Sequence, residues 1–206
     1  MVKTNQFKQL ATEERLARTM AALEKNGITA MVVETGAEAK VKALSLIEKG
    51  VSVMSATSTT ANQIGLAEAI ENSKDFVSLR KKITALPESE QRAAARRINS
   101  APDYVVGSAN AVTEDGQVVI ASNSGSQLAP YAFSAAHVIW VVGTQKIVSN
   151  LDEAMQRIEE YTLGLESKRM QKIYGIDSAI RKLLIVNSEI MPGRTTIIFI
   201  KENLGF

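Results

Sequence analysis

Short apolar runs rich in β-branched residues alternate, along this 206-residue chain, with longer segments of helical period. Glycines and capping residues separate the two kinds of segment. That alternation predicts an α/β fold built of βαβ units, with a mostly parallel central sheet and helices on both faces. Composition fits: 45% of residues are hydrophobic and 22% charged, an ordinary globular balance. The length suits one domain with a sizeable core, so a single domain is read over 1–206, with an N-terminal helix within 1–27.

That first helix is predicted from Leu16, Met20 and Leu23 at i, i+4, i+7, with Thr4 or Asn5 as cap and Asn26-Gly27 as stop. Residues 28–33 are apolar on both faces, as in a strand covered on both sides. Val41, Leu44 and Ile47 form the stripe of a helix over 37–49, ended by Gly50. Residues 51–54 read as a second buried strand and 58–70 as a helix with Ile64 and Ala67 inward. A short strand is expected at 75–79. Pro87 opens a helix with Glu88 and Glu90 at its positive end, and Arg92, Arg96 and Arg97 follow as a solvated face. Residues 103–107 are strand-like, and Glu114-Asp115-Gly116 between apolar runs reads as a hairpin turn. His137 to Val142 is the most apolar strand, with Trp140 in its core. Asn150 caps a helix whose stripe is Leu151, Ala154, Met155 and Ile158. Residues 163–182 carry no clear period, and 195–200 is a last strand.

Charge and composition exclude several classes. There are 24 basic and 22 acidic residues, a net charge of +2, which gives no electrostatic reason to expect a nucleic-acid or membrane-surface partner. Cysteine is absent and there is one histidine. A thiolate nucleophile, a disulfide, a multi-histidine metal site and a self-held iron–sulfur cluster are therefore excluded, and no metal site is expected. The cofactor stays unknown. The start lacks the apolar core of a signal peptide and no stretch is long enough to span a bilayer, so a cytoplasmic protein is expected.

Parallel sheets bind ligands beyond the carboxyl ends of their strands, so the loops after the strands are where chemistry is sought. The first, Ser55-Ala-Thr-Ser-Thr-Thr60, holds five hydroxyl residues at a helix start. Ser58 and Thr60 read either as part of an anion site or as simple caps. In the second, 107–116, Asn110 and Thr113 can orient ligand atoms, and Glu114 can act as a base; Asp115 reads as a turn acid facing water. In the third, 122–127, Asn123 and Ser126 supply polar groups and Gly125 permits close backbone approach. In the fourth, 143–146, Lys146 reads as a partner for a phosphate or carboxylate, as an amine of depressed pKa, or as a surface lysine. His137, the one histidine, opens its strand and so belongs to the opposite rim, which speaks against a Ser-His-Asp triad.

Four segments together resemble one family. Gly107-Ser-Ala-Asn-Ala-Val-Thr-Glu-Asp-Gly116, Asn123-Ser-Gly-Ser-Gln-Leu128, Val138-Ile-Trp-Val-Val-Gly-Thr-Gln-Lys-Ile-Val148 and Pro192-Gly-Arg-Thr-Thr-Ile-Ile-Phe-Ile-Lys-Glu-Asn-Leu-Gly205 look like the lactate-utilisation (LUD) domain family, standalone type. Ser58-Thr-Thr60 with Ile64-Gly65 resembles its first loop. The resemblance spans roughly residues 10–206. It implies a three-layer α/β/α domain of the NagB/RpiA/CoA-transferase-like kind, akin to sugar-phosphate isomerases and formyltetrahydrofolate cyclo-ligases. It also implies a place in bacterial lactate or hydroxy-acid utilisation. Two departures stand out. Ala56-Thr57 occupy the place of the paired glycines found before the first-loop serine in many members, and the cysteines of cluster-binding relatives are missing.

The expected function is thus binding of a small organic anion or phosphorylated ligand at the C-terminal rim of the sheet. Lys146 and Glu114 are the candidate catalytic residues, and Ser58, Thr60, Asn110, Asn123, Gly125 and Ser126 the candidate ligand-binding residues. A non-catalytic accessory subunit docked on an iron–sulfur oxidoreductase is the alternative. An ATP-dependent ligase is a weaker one, resting on fold analogy. A homo-oligomer is compatible with either.

Overall fold

The computed structural model of the chain describes residues 3–206. In chain order its elements are α1 (Glu13–Lys25), β1 (Thr29–Val33), α2 (Gly36–Ser45), β2 (Ser52–Ser55), α3 (Thr59–Gln63), α4 (Leu66–Asn72), β3 (Val77–Ser78), α5 (Leu79–Thr84), α6 (Glu88–Ile98), β4 (Tyr104–Gly107), β5 (Ala111–Thr113), β6 (Val118–Ser122), β7 (His137–Gly143), β8 (Ile147–Val148), α7 (Leu151–Arg157), α8 (Leu163–Tyr174), β9 (Lys182–Val186) and β10 (Thr195–Ile200). Six strands form a central sheet in the order β1-β10-β7-β4-β2-β3, with every neighbouring pair parallel.

The apolar runs are buried on both faces because the sheet is sandwiched, and side chains two apart share a face. Val138, Trp140 and Val142 of β7, with Ile197 and Phe199 of β10, pack on one side against Leu16 and Leu23 of α1. Ile139 and Val141, with Ile198 and Ile200, pack on the other side against Ala39 and Ala43 of α2 and Leu66 and Ile70 of α4. The result is a three-layer α/β/α domain. Trp140 is fully buried and meets the edge of Tyr131 at a centroid distance of 5.3 Å.

A second sheet, in the order β8-β5-β6-β9, stands over the carboxyl end of the first. β5 and β6 form the hairpin expected around Glu114–Gly116. Ala111, Val119 and Val148 pack on Ala154 of α7 and on Ile158 just beyond it, and Asn150 caps α7 by accepting from the Glu153 N–H. A π-helical turn, Ile158–Thr162, joins α7 to α8.

Several boundaries differ from the sequence reading, each for a local reason. The first α-helix begins at Glu13, capped by Thr12, after a 3-10 turn at Lys3–Lys8; the side chains of Thr4 and Asn5 lie outside the described residues. The helix expected over 58–70 breaks at Gly65, whose φ of 68° starts α4 afresh. Only Val77–Ser78 pairs in the 75–79 run, because Ser78 caps α5. The segment 163–182, without a clear period, is helical to Tyr174, and β9 follows it on the edge of the second sheet. Among the described residues no helix is long and apolar enough to cross a membrane.

At the rim opposite the second sheet, Arg194 enters β10. It donates to the carbonyls of Pro130, Tyr131 and Ala135 at 3.0–3.2 Å and pairs with Glu189 at 2.7 Å, both side chains being buried. Burial pushes the Glu189 carboxyl up, but the Met191 N–H, Arg194 and Thr195 outweigh it and hold it below the usual range. Removing one partner of a buried pair strands the other charge. Arg194→Met is expected to lower the unfolding free energy by about 3–5 kcal/mol in urea titrations. A loss under about 1 kcal/mol would show that the pair is solvated, as surface pairs are.

Candidate functional site

Three neighbouring strands, β2, β4 and β7, run parallel and finish side by side, so the loops that follow them share one rim. The β2 loop enters α3, where the Ser58 Oγ caps the helix by accepting from the Ala61 N–H at 3.1 Å. Thr60 follows, turned back toward the sheet. β4 delivers Ser108 and Ala109. After Gly143, a tight 3-10 turn at Thr144–Lys146 folds Lys146 back over the strand ends.

These three loops meet at one atom. The Lys146 Nζ donates to Thr60 Oγ1 at 3.0 Å, to Ser108 Oγ at 3.2 Å and to the Ala109 carbonyl at 3.2 Å. Lys146 is 2% exposed. All its partners are neutral, and no acid pairs with it among the described residues. Desolvation disfavours the ammonium, and repulsion from Arg157 adds to it, so the amine titrates well below the ordinary lysine range.

Arg157 is a second buried cation. Its NH1 donates to the Asn110 carbonyl at 2.6 Å and to Thr162 Oγ1 at 3.0 Å, and its guanidinium stands 5.3 Å from the Tyr161 ring centre. Its Nε and NH2 are buried without a partner. Burial lowers its pKa to about 10. Two buried basic side chains thus stand beside the strand ends, and among the described residues no acidic side chain pairs with either.

A pocket of about 390 Å³ opens beside Lys146. Its floor is Thr57–Thr60, Ser108–Asn110 and Lys146. The Ser122–Gln127 loop and one face of α8 wall it. The backbone of Gly205, at φ 68°, lies against this floor: a Cβ there would run into Thr60 Oγ1 and stand 3.1 Å from Lys146 Nζ. Gly205 N–H donates to Gln63 Oε1 at 2.6 Å, and the Leu204 carbonyl accepts from Gln145 Nε2 at 2.8 Å.

Six of the eight residues singled out from the sequence line this pocket: Ser58, Thr60, Asn110, Asn123, Ser126 and Lys146. Their side chains are unequally free. Asn110 Oδ1 is engaged by the Ala121 N–H at 2.9 Å, and Asn123 Oδ1 by Arg181 Nε at 2.8 Å. Ser126 bonds only to its loop neighbours Ser124 and Gln127. Gly125 does not line the pocket; the aliphatic stem of Lys182 fills the place where its Cβ would be, so its lack of a side chain serves packing.

Glu114 is not brought to the pocket either. Its carboxylate binds Arg15 Nε at 2.6 Å and Arg18 NH2 at 2.8 Å, tying the hairpin turn to α1. Burial raises its pKa, but the two guanidinium groups outweigh this and hold it below the usual carboxylate range. Thr113 accepts the Gln117 N–H within the hairpin, and Asp115 is exposed. His137 stacks on Tyr104 at the far rim, at 4.6 Å. Arg92, Arg96 and Arg97 are exposed.

The sequence reading missed Ser108, Arg157, Thr162, Glu166, Arg169 and Tyr174. Arg157 carried a signal: it falls on the same helical stripe as Ala154, Ile158 and Tyr161, where a cation is out of place. Among the described residues no group of three or more acids or histidines is placed to hold a metal ion.

The model of the LUD domain family matches residues 16–200. A solved DUF162 family protein from Deinococcus radiodurans is similar in structure, with a TM-score of 0.55 and 15% identity over 93% of this chain and 99% of that one. More distant likenesses include eIF2B beta from Chaetomium thermophilum (TM-score 0.37, 18% identity, 56% and 43% covered). Another is ribose 5-phosphate isomerase A from Neisseria gonorrhoeae (TM-score 0.34, 14% identity, 81% and 69% covered). A search of curated proteins found no significant match.

The state of Lys146 has a consequence for stability. Unfolded, the amine keeps its proton up to the usual lysine pKa; folded, it releases it earlier. Between those two values the unfolded chain binds more protons, so this residue opposes folding below that window and the opposition fades as pH rises through it. Lys146→Met keeps the stem and removes the head. The variant is expected to be at least as stable as the parent at pH 7, with its advantage shrinking toward pH 10 in matched urea titrations. An advantage that widens with pH would contradict the assignment.

Proposed function

The chain belongs to the LUD domain family, the lactate-utilisation family, and from that premise we propose that it binds a small organic anion or phosphorylated ligand in the pocket at the carboxyl end of the sheet. Lys146 is the anchor. The observation that carries this reading is a lysine buried in a pocket wall among neutral oxygens, with the buried Arg157 nearby and, among the described residues, no acid paired with either. Burying an uncompensated ammonium is costly, and an anionic ligand removes that cost.

A bound anion would favour the protonated amine. The ammonium then exchanges bonds to the neutral Thr60 and Ser108 hydroxyls for a charge-assisted one. The hydroxyls of Ser58, Thr60 and Ser108 then solvate the remaining anion oxygens in place of water, and Ser126 meets the rest of the ligand. In its uncharged form the same amine is a proton acceptor. Glu166, the one acidic side chain in the lining among the described residues, is engaged by Arg169 at 2.6 and 2.8 Å.

The test is a calorimetric screen of L-lactate, pyruvate, inorganic phosphate and sugar phosphates against parent and Lys146→Met. At least one anion is expected to bind the parent. The variant should bind it about 10- to 150-fold more weakly, the loss of one charge-assisted bond worth about 1.5–3 kcal/mol. Because binding favours the protonated amine, parental affinity should fall as pH rises above the pKa of the free protein. A variant that binds as tightly as the parent, or a screen in which no anion binds, refutes the reading.

A further inference from the structure

The pocket is longer than a three-carbon acid needs. Leu163, Glu166, Met170 and Tyr174 all line it, at i, i+3, i+7 and i+11. They are one face of α8, three turns deep, and at about 1.5 Å per residue they span about 16 Å. A three-carbon acid measures about 4 Å between its end atoms, at about 1.5 Å per bond. The pocket's 390 Å³ would hold about a dozen waters at about 30 Å³ each.

The two ends of this wall differ in chemistry. The Leu163 end adjoins Thr162, which Arg157 ties to the Asn110 carbonyl, next in the chain to the Ala109 carbonyl that Lys146 holds. Along α8 the charged side chains of the lining are Arg169 and Glu166, which neutralise each other in a bidentate pair at 2.6 and 2.8 Å. That pair presents a flat guanidinium beside the Met170 thioether and the Tyr174 ring. Tyr174 is 64% exposed and has no aromatic partner among the described residues. A planar guanidinium, a thioether and an unpaired aromatic ring suit a planar, uncharged ring. The Ser122–Gln127 loop adds hydroxyl and amide groups to the lining, and the Ser126 hydroxyl is exposed and bonded only within its loop.

From this anatomy we infer that the pocket takes a mononucleotide-like ligand, with its anionic group at Lys146, its hydroxyl-bearing middle along the Ser122–Gln127 loop and its planar base against Tyr174, Met170 and Arg169. A purely aromatic acid would leave the serine-rich wall without partners, and a bare hydroxy acid would leave the α8 face empty. The inference rests on the anion reading of Lys146 and adds to it the size and far end of the ligand.

The probes are AMP, ribose 5-phosphate and inorganic phosphate, titrated calorimetrically into the parent, Tyr174→Ala, Tyr174→Phe and Lys146→Met. AMP is expected to bind at least about tenfold more tightly than ribose 5-phosphate, the usual scale of one base–aromatic stack. Tyr174→Ala should remove that advantage while leaving ribose 5-phosphate affinity unchanged, and Tyr174→Phe should preserve it. Ribose 5-phosphate or phosphate binding as tightly as AMP overturns the inference. So does an AMP advantage that survives Tyr174→Ala, or an absence of AMP binding. If these anions bind through Lys146 without discriminating the ring, only the ligand class falls. If Lys146→Met leaves every probe unaffected, the anion reading itself falls.

Discussion

A buried amine without a counter-charge is the constraint around which this end of the molecule is organised. Lys146 follows β7, which lies between β10 and β4 and is apolar on both faces. A residue one tight turn beyond such a strand has little water within reach. Every polar atom offered to it comes from the ends of adjacent strands, and those are a hydroxyl from the β2 loop and a hydroxyl and a carbonyl after β4. Parallel strands make this meeting unavoidable, because their carboxyl ends all lie on one side. Replacing Ser108 or Thr60 by an acid would satisfy the amine within the protein and close the site to an external anion.

The second layer of the site depends on the first. β5 leaves β4 through Ala109 and Asn110, and β8 follows Lys146 directly, so the small sheet grows out of the same two loops. Arg157 ties that sheet to its helix by holding the Asn110 carbonyl and Thr162. The π-helical turn beyond it leads into α8, one face of which walls the pocket. Glu114 serves this architecture, bound by Arg15 and Arg18 of α1, and so pins the hairpin that frames the pocket.

Much of this was legible in the sequence and some was not, for physical reasons. Strands covered on both faces announce themselves by continuous apolar runs, so β1, β2, β4, β7 and β10 were visible, and their shared rim followed from parallel pairing. Lys146 was marked by its place after the most apolar run. Edge strands carry a weaker pattern: Lys182 and Leu183 of β9 are exposed, so its period was blurred. The role of Glu114 was hidden because its partners lie 96 and 99 residues away in α1, a separation no local spacing reveals. Gly125 was read as an approach for a ligand, and it is a seat for the Lys182 stem. The α8 wall escaped notice because Glu166, Arg169 and Tyr174 look like ordinary surface residues until the small sheet sets that helix against the rim.

The most direct measurement of the central claim is an NMR titration of the Lys146 side chain, observed at its labelled Cε and assigned with Lys146→Met. In the free protein the account predicts titration well below the ordinary lysine range, and a rise in that pKa when a bound anion supplies the missing charge. A resonance that titrates as an ordinary lysine, unmoved by the anion, would show that Lys146 is solvated and that the pocket is not built around an uncompensated amine.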